Sequence, residues 1–86
     1  MTVDLVEISQ APNGAEAVLS VDGEKRRYSF ETEMIDLQGQ NLELLKADRQ
    51  LFSDFKFNQA PYHLTVKAVR RFLNGENLLL PQRLLD

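Results

Sequence analysis

Asp22-Gly23 stands between two runs of strand-forming residues, Ala15 to Val21 and Glu24 to Phe30, and this dipeptide constrains the fold more than any other feature of the chain. A two-residue type I′ turn needs positive φ at both central positions, which Gly adopts freely and Asp tolerates, and its twist suits two antiparallel strands. With the turn at Asp22-Gly23, Val21 faces Glu24 and the whole register follows. Leu19 pairs with Arg26, Ala17 with Tyr28 and Ala15 with Phe30 on one face, small alanines opposite large aromatics. Ser20 with Lys25, Val18 with Arg27 and Glu16 with Ser29 form the other face, which is mostly polar and suits water. Thr2 to Ser9 reads as a preceding strand, joined through the turn cluster Ala11-Pro12-Asn13-Gly14. In that strand Val3 and Leu5 alternate onto one face while Val6 and Ile8 take the other, so it needs either a bulge or burial on both faces.

The middle of the chain admits two readings. Glu33-Met34-Ile35-Asp36-Leu37 prolongs the third strand, and Gln38-Gly39-Gln40-Asn41 marks a break, with Asn41 as a candidate helix N-cap. In the first reading Leu44, Leu45, Leu51, Phe52 and Phe55 recur at helical spacing and make one helix from Leu42 to near Phe57, leaving Asp48 misplaced on its apolar side. In the second, Leu42 to Ala47 is a fourth strand and Asp48 caps a shorter helix.

A helix from about Pro61 to Leu73 is clearer. Proline fits a first helical turn, where its missing N–H costs nothing, and Asn74-Gly75 fits a C-terminal stop. Its apolar members Tyr62, Leu64, Val66, Ala68, Val69, Phe72 and Leu73 cover a wide arc, and His63, Lys67, Arg70 and Arg71 share the remainder with no acid among them. The last ten residues, Asn77 to Asp86, are half leucine, too apolar for a loose tail. The expected architecture is α+β: one domain over residues 1–86, an antiparallel three- or four-stranded β-meander packed against one or two α-helices.

Several function classes lose their footing. There is no cysteine, which removes disulfides, thiolate nucleophiles and thiolate zinc sites, and His63 is the only histidine. No serine lies in a nucleophile elbow. The carboxylates (Asp36, Glu43, Asp48 and Asp54 among them) do not follow a calcium-loop spacing, and Gly14, Gly23, Gly39 and Gly75 fall at turns or caps rather than in a phosphate loop. The expectation is therefore no enzyme, no cofactor and no metal. Met1-Thr2-Val3-Asp4 lacks the cationic start and apolar run of a signal peptide, and no apolar stretch approaches the ~20 residues of a membrane span, so a cytoplasmic protein is expected. The net charge of −3 argues against a surface that attracts nucleic acid as a whole, which leaves nucleic acid an unlikely partner. The charge is uneven, however: from residue 56 onward Lys56, Lys67, Arg70, Arg71 and Arg83 face only Glu76 and Asp86.

Two functional readings remain. The leading one is a small interaction or regulatory module that binds another protein, or itself as a homodimer, through Tyr62, Val66, Val69 and Leu73 together with Leu78, Leu80 and Leu84. Its plain counterpart is that the C-terminal leucines simply complete the core. The alternative is a weak polyanion or nucleic-acid binder using Lys67, Arg70 and Arg71, enlarged by Lys25 and Arg27 if those outward-facing cations lie nearby. Its plain counterpart is a solvated face, salt-bridged to Asp54 or Glu76, in which each exposed pair is worth ~0–1 kcal/mol.

Overall fold

The computed structural model describes residues 1–86. Four strands follow one another as a meander: β1 (Val3–Ala11), β2 (Gly14–Val21), β3 (Glu24–Leu37) and β4 (Gln40–Ala47). The β2–β3 register is the one the Asp22-Gly23 turn dictates, pair for pair from Val21↔Glu24 to Ala15↔Phe30, and φ is +50° at Asp22 and +86° at Gly23. Val3 to Ala11 makes β1 slightly longer than the expected strand. Its phase problem is solved by a bulge: the register shifts between Leu5 and Glu7, so Ile8 joins Val3 and Leu5 on the buried face. Gly14 opens β2 because the strands close in there. A Cβ at Gly14 would stand 2.0 Å from the Phe30 carbonyl oxygen.

The second reading of the middle segment holds and the single long helix does not. Gln38-Gly39 forms another two-residue turn, with φ of +52° and +81°, and returns the chain directly as β4. Asn41 therefore lies inside a strand, opposite Asp36, and caps no helix. Asp48 ends the strand and starts α1 (Arg49–Asp54), its carboxylate accepting from the Gln50 N–H at 2.9 Å and from the Ser29 N–H at 3.3 Å. One side chain thus caps the helix and ties it to the sheet.

Helix α2 (Ala60–Leu73) has Pro61 in its first turn and ends in a Schellman motif, in which Glu76 N–H bonds the Arg71 carbonyl and Gly75 N–H bonds that of Phe72, with φ +85° at Gly75. The chain then returns as a fifth strand, β5 (Gln82–Leu85), antiparallel to β1. The sheet therefore has five strands in the order β4-β3-β2-β1-β5, one more than the upper expectation. Nothing in the periodicity of residues 82–85 announces this strand, which is fixed by tertiary pairing and by Arg83 reaching Asp4 at 2.6 Å. The core lies between one sheet face and the helices, with Leu5, Leu19, Tyr28, Phe30, Leu51 and Val69 essentially sealed. Tyr28 is a buried aromatic with a polar tip, and that tip donates to Asp54 at 2.7 Å, fastening the end of α1 to β3.

Candidate interaction surface

The residues expected to meet a partner divide between core and surface. Val69 is fully buried and Leu84 nearly so, both inside the main cluster, so their area is already used within the chain. Leu78 and Leu80 are half-buried against the same cluster, as are Tyr62, Val66 and Leu73 on α2. Tyr62 also packs edge-on to Phe52 of α1, ring centroids 5.4 Å apart. Among the C-terminal leucines Leu79 alone stands in solvent.

The basic residues are likewise separated. Lys67, Arg70 and Arg71 line one shallow groove on the outer side of α2 with Tyr62, His63, Val66 and Asn74, and no acid lines it. Arg71 is paired with Glu76 at 3.2 Å, while Lys67 and Arg70 make no ion pair. Lys25 and Arg27 belong to the opposite face of the sheet: they alternate with Arg26 and Tyr28, and Tyr28 points into the core beneath the helices. Arg27 is also held by Glu16 at 2.7 Å. The hairpin cations therefore do not enlarge the α2 groove.

Phe57 and Leu79 are the most exposed large apolar residues, but the largest group of exposed apolar side chains lies elsewhere. β3 pairs with β2 only as far as Glu31, and from Thr32 to Leu37 its one neighbour is β4. Residues 32–45 thus form a two-stranded arm, and residues 33–44 are all exposed. Its root is pinned where Thr32 donates to the Asn13 carbonyl through both N–H, at 2.8 Å, and Oγ1, at 3.2 Å. Lys46 and Glu33, diagonal across the ladder, meet at 2.6 Å, and the lysine is held above its usual pKa mainly by this hydrogen bond.

The two faces of the arm differ. On the side continuous with the core are Thr32 and Leu45, Met34 and Glu43, Asp36 and Asn41; on the reverse are Glu33 and Leu44, Ile35 and Leu42, Leu37 and Gln40. Four of the six reverse-face residues are large and aliphatic, with Ile35 36%, Leu37 57%, Leu42 42% and Leu44 42% exposed. No helix covers that face. At the arm's root a cleft of about 380 Å³ separates β4 from the end of α2, and Glu43, Leu44, Leu45, Arg70 and Leu73 are among its lining residues, so Leu44 reaches the edge of the helix layer.

The arm lies outside the expected docking residues, because residues 33–44 fit a strand extension followed by either a helix or a strand and neither pattern by itself marks an exposed face. The available signal is a change of phase along β3: Tyr28 and Phe30 occupy even positions, whereas Ile35 and Leu37 occupy odd ones. No three Asp, Glu or His side chains gather closely enough to hold a metal ion, and no helix is long and apolar enough to cross a membrane. No protein-family model matches this chain, and neither does any curated protein or solved structure.

Proposed function

We propose that this chain is a protein-interaction module whose docking element is the β3–β4 arm. The observation that carries the reading is the reverse face of the arm, where Ile35, Leu37, Leu42 and Leu44 form a contiguous aliphatic surface on a two-stranded ribbon. A lone hairpin is marginal in water, and an aliphatic face on one is stabilised when another chain covers it. Tyr62, Val66 and Leu73, half-buried on α2, are secondary contacts in this reading, and the chemistry asked of the module is recognition alone.

Affinity capture from a native lysate at low and molar salt tests it. A specific protein should be retained at both salts by the wild type, and lost from Ile35→Thr with Leu42→Thr, which alters the docking face. Equal recovery by that variant would sink the proposal, since the arm would then be irrelevant to binding.

The acid-free groove of Lys67, Arg70 and Arg71 supports a second reading, a weak polyanion binder. Here affinity falls steeply with ionic strength, unlike an aliphatic contact. Retention on heparin should drop in Lys67→Ala with Arg70→Ala and stay unchanged in Lys25→Ala with Arg27→Ala, because those two pairs lie on opposite faces. Elution at negligible salt by the wild type removes this reading.

A further inference from the structure

The two edges of the sheet are unequal. β5 is four residues long, follows Pro81 and carries Arg83, whose guanidinium reaches Asp4 and Asp86. Short, charged and proline-flanked edges resist further pairing. β4 runs for eight residues without proline, and its single cation, Lys46, is drawn sideways onto Glu33 of β3 rather than standing over the free edge. In a two-residue hairpin the pair that closes the turn, here Leu37 and Gln40, exchanges its backbone bonds, and every second pair does so after it. The alternation reaches Asp48 N–H and the Ser29 carbonyl, joined at 2.9 Å. The N–H and C=O groups of Asn41, Glu43, Leu45 and Ala47 consequently point away from β3, along an edge with no strand beside it.

Such an edge can be extended by a second copy of itself, antiparallel about a two-fold axis normal to the sheet, provided residues of the same face stand opposite one another. Placing Glu43 on the axis opposes two like charges. Placing Leu42 there overlaps only Gln40 to Leu44. Placing Leu44 on the axis pairs Asn41 through Ala47, sets Leu44 against its counterpart, stands Leu42 opposite Lys46 and opposes Glu43 to Leu45. Leu45 is a wall of the cleft that also holds Arg70. Glu43 of the second copy therefore arrives at a cleft where Arg70, which shares the lining with its own chain's Glu43, makes no ion pair within that chain, and the axis repeats the arrangement.

We infer that this chain forms a two-fold dimer in which β4 pairs antiparallel with β4 of a second copy, with Leu44 on the axis and Glu43 of each copy against Arg70 of the other. This rests on the reading of the arm as a docking element and supplies the occupant of its β4 edge. About eight backbone hydrogen bonds join the copies in this register. Leu42 and Leu44 are covered, and Ile35 and Leu37 of each copy stay open on the reverse face.

The chain has no cysteine, so single introduced cysteines report the register. Leu44 would occupy a non-hydrogen-bonded pair, with Cα atoms about 4.5 Å apart, within the span of a disulfide. Under mild oxidation Leu44→Cys should give a covalent dimer in roughly tenfold higher yield than Leu42→Cys or Glu43→Cys. Light scattering of the wild type at hundreds of micromolar should return twice the chain mass. Glu43→Arg and Arg70→Glu should each weaken the dimer about tenfold, and an equimolar mixture of the two single variants should restore it, because opposite charges then meet only between copies. Both charge changes are at exposed positions, so this arm of the test does not depend on the cysteine variants folding. A monomeric mass at that concentration overturns the inference, as does preferential cross-linking at Leu42 or Glu43, or a dimer indifferent to the charge changes. A monomer that still captures another protein through its arm refutes the second copy and leaves the docking reading intact; a monomer that captures nothing refutes both.

Discussion

Replacing Ile35 and Leu42 together by threonine separates a docking face from a core face. The two residues are directly opposed across the β3–β4 ladder and are 36% and 42% exposed, so roughly three-fifths of each side chain is already out of water, much of it against the other. Full burial of such a side chain is worth about 1.5–3 kcal/mol, and threonine keeps one methyl group and a β-branched shape suited to a strand, which leaves a cost of about 1 kcal/mol or less per site. The pair should therefore cost about 1–2 kcal/mol in the isolated chain. Leu19→Ala, by contrast, opens a cavity at a fully buried position between Leu5 and Arg26, a class of change that costs about 2–5 kcal/mol. One core truncation should thus exceed two arm substitutions. Urea unfolding followed by far-UV circular dichroism at low micromolar concentration measures both, with the slope of the transition checked for constancy. If the threonine pair lowers stability as much as Leu19→Ala under those dilute conditions, the reverse face of the arm is sealed within the chain, and the reasoning that makes it a docking surface fails.

Three further outcomes follow from the packing. Gly14→Ala should destabilise by about 3 kcal/mol or more, because its Cβ would lie 2.0 Å from the Phe30 carbonyl oxygen and 2.9 Å from the carbonyl carbon, backbone atoms that cannot swing aside; a melting temperature within two degrees of wild type contradicts that close approach. Thr65 is fully buried with a hydroxyl that has no hydrogen-bond partner, so Thr65→Val should raise stability by about 1 kcal/mol, and a loss on urea unfolding would mean the hydroxyl is satisfied after all. Tyr28 has its phenol pushed up to about 12, first by burial and then by its hydrogen bond to Asp54. Its folded pKa exceeds the unfolded value of 10, so this contribution is complete below pH 10 and disappears as pH rises towards 12. Tyr28→Phe should flatten the fall in melting temperature across that window, and parallel curves for the two proteins would refute the assignment.

Local chemistry made some of this fold readable and left the rest to tertiary pairing. Asp22-Gly23 set the β2–β3 register without reference to any other part of the chain, because both positive-φ positions and both faces agreed. Pro61 and Asn74-Gly75 bracketed α2 for the same reason, each acting within one helical turn. Residues 42–55 stayed open between two readings because their leucine and phenylalanine spacing fits a helix face as well as a strand followed by a short helix; Gln38-Gly39, a weaker turn pair than Asp-Gly, decided it by adopting the same backbone shape. β5 was hidden because four residues beside a proline carry no periodicity of their own and gain strand geometry only against β1. That unforeseen strand is also what drew Leu84 into the core and removed it from the expected docking residues. The basic surface was half readable: helical spacing brings Lys67, Arg70 and Arg71 together, but only the sheet's two-sidedness shows that Lys25 and Arg27 face away from them.

The contrast between β1 and β3 explains why the surplus apolar surface ends up on the arm. Both strands carry apolar residues in two phases, Val3 and Leu5 against Ile8 in one, Tyr28 and Phe30 against Ile35 and Leu37 in the other. β1 corrects its phase with the shift between Leu5 and Glu7, which rotates Ile8 inward beneath the helices. The β3–β4 ladder runs from Phe30↔Ala47 to Leu37↔Gln40 with no shift, so nothing rotates Ile35 or Leu37 back. An unbroken ladder cannot move single side chains to the other face, since period two holds every residue to its side. Helices α1 and α2 cover the face that bears Tyr28 and Phe30, β5 extends the sheet beside β1, and no element of the chain forms a layer on the reverse face. The aliphatic face of the arm is therefore set by backbone register rather than by loose packing, and nothing within the chain covers it.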